Sequence, residues 1–156
     1  MVPAMHMVTT AWFRYSAPLV PWTDADLDKL YSVWLQVQRA AWKLSPGFPS
    51  APLMFPGEHG GCPVTHPVVP MIQALATHIE QLVALPDELR DTTIRKFKKL
   101  CDSCGCHNEH ELADHLAEER RPRACPLARF LRACGKLKLD IKLPACLSLG
   151  VAGRDT

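Results

Sequence analysis

Cysteine and histidine crowd one short stretch, Cys101-x-x-Cys104-x-Cys106-His107-x-x-His110-x-x-x-x-His115. Zinc takes four sulfur or nitrogen donors in a tetrahedron, and a C-x-x-C turn followed by histidines at short helical spacing can supply them. The quartet this spacing points to is Cys101, Cys104, His110 and His115, with Cys106 or His107 able to replace a member. The interval between the pairs is shorter than in ordinary zinc fingers and is closer to a zinc knuckle, with histidine where a knuckle usually ends in cysteine. The competing expectation is structural: Cys101 closes a helix inside the core, and the others are polar groups on a loop and the helix after it.

Cationic side chains bracket the same stretch. Arg95, Lys96, Lys98 and Lys99 precede it, Arg120, Arg121 and Arg123 follow it, and Arg129 and Arg132 extend the series along the next segment. Positive groups around a compact turn suit contact with the phosphates of RNA or DNA, which hold a backbone without reading bases. The first seven of these residues are the candidates for that contact. Solvated helix faces carry such charges too, and Glu109, Glu111, Glu118 and Glu119 offset part of this one. The formal net charge is only +2, but it is uneven: four Lys or Arg against five Asp or Glu up to Leu85, then fourteen against eleven from Pro86 onward.

Signs of catalysis are sparse. Cys62 and His66 could form a thiol and imidazole pair, but no third residue nearby would orient it. Neither a phosphate-cradling G-x-x-x-x-G-K-[ST] loop, nor a G-x-S-x-G elbow, nor an H-E-x-x-H helix occurs. The expectation is a binding protein, not an enzyme.

The elements that must position these groups follow from periodicity. Residues 1–22 are apolar and aromatic without a clean period, interrupted by Pro18 and Pro21, and are expected to form an irregular or partly helical lead-in. Thr23 and Asp26 make a capping box, and Leu27, Leu30, Tyr31, Trp34, Val37, Ala41 and Trp42 then recur at helical spacing up to about Leu44. Prolines and glycines between 45 and 67 predict a long loop that is functional or packed over the core. A helix from about Pro67, capped by Thr65, ends at Pro86; Asp87 and Glu88 open another, and Asn108 with Glu111 caps a short one. A last helix should run from Pro126 to Cys134 and stop at Gly135, and the strict alternation from Lys136 to Leu143 predicts a strand.

Composition narrows the class. A 156-residue chain with 47% apolar and 22% charged residues can bury one core, so extensive disorder is not expected. No apolar run reaches the roughly 18–20 residues of a membrane span, and the start lacks the basic stretch of a secretory leader. Seven cysteines, an odd number beside several histidines, then suggest reduced thiols or metal ligands in an intracellular protein of the nucleus or cytoplasm.

Leu30-Tyr31, the run Arg39-Ala40-Ala41-Trp42-Lys43-Leu44, Pro56 and Gly60-Gly61 together carry a family likeness. This stretch resembles the region just after the palm of non-LTR retrotransposon reverse transcriptases, where a helix ending in a basic residue, tryptophan and leucine precedes a proline-rich turn and a Gly-Gly motif. The resemblance implies a thumb-like helical subdomain that holds a template and primer duplex, with a zinc knuckle downstream. It also implies no polymerase activity, because that chemistry needs palm aspartates on two metal ions and the chain has no adjacent aspartates. The expected product is a truncated fragment. Its alternatives are a protein-interaction module using Phe48 and Phe55 of the proline-rich loop, or a fossil reading frame with no selected function.

The expected architecture is mainly α, a small irregular helical bundle with a long Pro/Gly-rich loop and one short C-terminal strand. Its parts are a lead-in (1–22), a thumb-like core (23–85) with the loop at 45–67, a basic helical region with the Cys/His cluster (86–135), and a strand-like segment with a frayed tail (136–156).

Overall fold

Residues 2–59, 65–85 and 87–147 are described by a computed structural model. Among them are six α-helices: α1 (Val2–Ser16), α2 (Asp24–Ala41), α3 (Val68–Ala84), α4 (Asp87–Cys104), α5 (Glu109–Glu118) and α6 (Pro126–Leu137). Two short 3-10 turns, Ala51–Met54 and Gly57–His59, punctuate the proline-rich connection. The protein is mainly helical, a small bundle of the kind the patterning predicts. No helix among the described residues is long and apolar enough to cross a membrane.

Helix starts follow local chemistry. Thr23 Oγ1 accepts the Asp26 amide at 3.2 Å while the Asp26 carboxylate accepts the Thr23 amide, so the expected capping box opens α2. Asn108 caps α5 through the Glu111 amide at 2.7 Å, but Glu111 reaches back to the His107 amide instead of to Asn108. At α3 the expected Thr65 cap is absent. Pro67 occupies the cap position, and His66 Nδ1 accepts the Val68 amide at 3.2 Å. Gly105 ends α4 with φ +65°, and bonds from Cys106 N–H to Cys101 C=O and from Gly105 N–H to Asp102 C=O form a Schellman turn.

Helices α3 and α6 hold the bundle together. α3 packs on α1, α4 and α6, and α6 packs on α3 and α5. One apolar cluster gathers Phe13, Leu27, Trp34, Met71 and Leu75, and another gathers Phe97, Leu100, Leu112, Leu116 and Leu131. Ile72 and Phe130 pack against both. Each buried leucine or phenylalanine contributes about 1.5–3 kcal/mol by leaving water.

Four expectations change. The lead-in is the helix α1, and it is part of the core: Phe13 and Ala17 are fully buried, and Phe13, Trp12 and Trp22 meet edge to face with ring centroids 4.9–5.9 Å apart. The two prolines break the period only after Ser16, where the chain turns towards α2. Helical spacing puts Val37 and Trp42 on one apolar stripe of α2 with Trp34, yet they are 44% and 52% exposed. The helix ends at Ala41, Lys43 adopts φ +54°, and Ala40, Ala41 and Trp42 all lie at the surface.

The third change concerns Gly135, which does not stop the last helix. α6 continues to Leu137 and ends at Lys138, a left-handed residue at φ +53° whose amide bonds to the Cys134 and Gly135 carbonyls. A Cβ on Gly135 would sit 2.3 Å from the Ala113 carbonyl oxygen, so the glycine is required by the close approach of α5 and α6. Finally, the expected strand at 136–143 is not formed, and no strand occurs among the described residues. Its first two residues finish α6, Leu139 is exposed, and Ile141, with Leu143 partly buried, packs on the core from an irregular segment that has no strand to pair with among the described residues.

Candidate functional site

The cysteine and histidine side chains of the expected zinc quartet do not converge. Among the described residues, no three Cys, His, Asp or Glu side chains are grouped so as to hold a metal ion. Helical geometry explains this. His110 and His115 lie five residues apart on α5, roughly 140° around a helix of 3.6 residues per turn. Leu112, Ala113 and Leu116 take the buried face, which leaves both histidines exposed, and His110 Nε2 lies 3.9 Å from Asp140. Cys101 faces the core at 3% exposure, where burial pushes its thiol up to about 11. Cys104 and the substitute Cys106 are half-buried beside it, and the other substitute, His107, is exposed. Cys62 lies outside the described residues.

Arg123 ties this corner together. Its guanidinium grips Glu119 through Nε at 2.9 and 3.0 Å and through Nη2, and Nη2 also reaches Cys104 Sγ at 3.6 Å. Hydrogen bonding to Arg123 holds the Glu119 carboxyl below the usual carboxylate range, and the same bond raises the Arg123 guanidinium. The pair is partly exposed, so its worth is modest, about 0.5–1 kcal/mol.

Arg95, Lys96, Lys98 and Lys99 occupy the exposed side of α4, opposite Phe97, Leu100 and Cys101. Arg120 and Arg121 are exposed in the α5–α6 connection. Of the seven expected contact residues, Lys96, Lys99 and Arg123 come together as lining of one groove of about 580 Å³, floored by Ile79, Leu82, Leu100 and Leu127. Arg95 turns to its own helix and donates to Thr92 Oγ1 at 3.2 Å.

Arg129 and Arg132, expected to prolong the cationic surface, are instead 5% and 6% exposed. Arg132 donates to both carboxylate oxygens of Asp24, at 3.3 and 3.2 Å, and to the Glu119 carbonyl at 3.2 Å. Lys136 bonds the same carboxylate. Burial pushes the Asp24 carboxyl up, but Lys136 and Arg132 outweigh it and hold the group below its ordinary value. A sequence signal for this existed: neither arginine has a carboxylate three or four residues away on its own helix, so any partner had to come from elsewhere in the chain.

A depressed folded value means that the Asp24 tie stabilises fully above the unfolded carboxylate range, near pH 4, and is lost as pH falls through the folded value. Asp24→Asn is therefore expected to cost about 1–2 kcal/mol at neutral pH, the range for hydrogen bonds to a charged group. In urea unfolding curves, the gap between wild type and variant should close below about pH 4. A gap that stays constant down to pH 2, well under that range, would show that the tie contributes nothing.

In the loop, Met54 and Phe55 are exposed, Leu53 is buried, and Phe48 is half-buried with its carbonyl accepting Arg39 Nε at 2.9 Å. Gly60 and Gly61 of the reverse-transcriptase resemblance lie outside the described residues. No family model, curated protein or solved structure matches this chain. The class defined by the coordinates is therefore a small helical bundle with a cationic helix face and two buried arginines.

Proposed function

We propose that the protein binds the phosphate backbone of RNA or DNA through α4 and the α5–α6 connection, without catalysing a reaction. The observation that carries this reading is the meeting of Lys96, Lys99 and Arg123 at one groove from two segments of chain. Arg95, Lys98, Arg120 and Arg121 extend the positive field over neighbouring surface. This surface lies in the basic region that follows the thumb-like core (23–85) of the reverse-transcriptase resemblance. Binding needs no metal: the cations act as they stand, and neither expected histidine ligand takes part.

Binding should weaken with salt by about 0.9 log units per log unit of salt for each duplex phosphate neutralised, or about 0.7 for single strands. Fluorescence anisotropy with a labelled duplex at several salt concentrations measures the slope. Replacing Lys96 and Lys99 together by alanine should reduce it by about two phosphates' worth. Glu119→Gln, which frees Arg123 from its carboxylate, should tighten binding. No binding at low salt, or a slope indifferent to Lys96 and Lys99, would sink the proposal.

A second reading, capture of a protein partner by the proline-rich loop, is favoured by the exposure of Met54 and Phe55. It expects Phe55→Ala to weaken capture while the Lys96 and Lys99 replacements leave it intact.

A further inference from the structure

A separate cleft of about 420 Å³ opens between the first turn of α2, the start of α3 and one side of α6. Its volume lies in the range of small-molecule sites, roughly 300–1,000 Å³. We propose that this cleft binds a small organic monoanion with an apolar body, a medium-chain or aryl carboxylate. Leu27, Val68, Val69, Met71 and Leu137 supply an apolar lining for the body.

The charges select the sign. Arg129, Arg132 and Lys136 stand along α6 at the cleft, and the carboxylates lining it are Asp24 and Asp28. Counting three cations against two anions leaves one surplus positive charge, which a monoanion cancels and a dianion over-compensates. Asp24 takes both Arg132 and Lys136, while Asp28 sits at the exposed lip with Oδ1 3.4 Å from His66 Nε2. Arg129, 5% exposed, has only backbone carbonyls as partners, so the surplus sits where water screens it least.

A second observation points the same way. Buried N–H groups without an acceptor are rare in folded proteins. Here three of them, Trp22 Nε1, Arg129 Nε and Arg132 Nε, belong to residues that line this one cleft. The surroundings are thus rich in donors and positive charge, and poor in acceptors. An incoming carboxylate offsets that surplus charge, with Lys136, its side chain one-third exposed, the accessible cation at the mouth.

Calorimetric titration with decanoate and with decanol, which share a body and differ in charge, tests the site. Decanoate should bind saturably at one per chain and at least about tenfold more tightly than decanol, a difference of about 1.4 kcal/mol. Val69→Trp, which fills the cleft from a partly exposed position, and Lys136→Glu should each weaken decanoate binding by about tenfold or more. Lys138→Glu, outside the cleft, should not change it, and circular dichroism should show the same helix content in all variants. The proposal is overturned if decanol binds as tightly as decanoate or if the variants that keep their helices bind decanoate unchanged. It is equally overturned if the wild-type chain shows no saturation below about 1 mM, the weak end of specific binding. Nucleic-acid binding by α4 plays no part in these outcomes.

Discussion

Replacing Arg129 by methionine is expected to destabilise the protein by about 2–3 kcal/mol, the net worth of hydrogen bonds from a charged donor. The Arg129 guanidinium donates from Nη1 to the carbonyls of Ala17, at 2.5 Å, and Val20, and from Nη2 to those of Pro18, at 2.6 Å, and Ala124, at 3.2 Å. Three of these carbonyls lie in the turn just past α1, near the negative end of its dipole. The guanidinium thus ties that turn to α6. Methionine fills similar space but removes the donors of the Ala17 and Pro18 carbonyls, while the Val20 carbonyl keeps the Trp22 amide at 2.9 Å; a buried acceptor left without a donor costs about 1–3 kcal/mol.

Arg129→Lys separates shape from charge. Lysine keeps the positive charge but has a single nitrogen with three donors, so it cannot span four carbonyls as the planar fork does. It should recover about half of the loss. Urea unfolding followed by circular dichroism measures both variants. Since domains are usually stable by only about 5–15 kcal/mol, the methionine variant should lose a large share of its stability. A midpoint within error of wild type for Arg129→Met would show that the four hydrogen bonds contribute nothing net.

The second large effect is expected at Gly135. Alanine normally helps a helix interior by about 1 kcal/mol relative to glycine, so an isolated α6 should gain from Gly135→Ala. In the bundle the new Cβ meets the Ala113 carbonyl oxygen at 2.3 Å and its carbon at 2.7 Å. Both atoms are backbone and cannot rotate away, so α5 and α6 must separate. The interface that parts contains Leu112, Leu116 and Leu131, all fully buried. The expected net cost is about 2–3 kcal/mol, at the upper end for overpacking and after the propensity gain. A synthetic α6 peptide and the whole protein should therefore respond to the same substitution with opposite signs. If the protein gains stability as well, the close approach of the two helices is wrong.

These two positions also show where reading the chain residue by residue succeeds and fails. Gly135 was visible as a special residue, but its spacing after Cys134 made it look like a helix stop; only the presence of Ala113 on another helix gives it its role. Arg129 and Arg132 looked like more of a basic surface because each lies among residues that carry no opposing charge. The Cys101–His115 cluster failed for a related reason. Ligand spacing along a chain becomes a site only when the backbone turns the donors inward, and α5 instead points His110 and His115 outward. By contrast, the exposed face formed by Arg95, Lys96, Lys98 and Lys99 was legible, since Phe97, Leu100 and Cys101 claim the opposite side of the same helix.

Helix content, the Thr23 and Asn108 caps and the first turns of the α2 stripe, Leu27 to Trp34, could be read directly from neighbouring residues. All of them rest on bonds and contacts spanning a handful of positions, and such interactions are encoded where they act. The inward turn of Arg129 and Arg132, the burial of α1 and the irregular path of residues 138–143 could not. Arg129 meets Ala17 across 112 residues of chain and Arg132 meets Asp24 across 108, and a polar group is stable inside a protein only if such remote partners arrive with it. Their arrival is a property of the packed bundle.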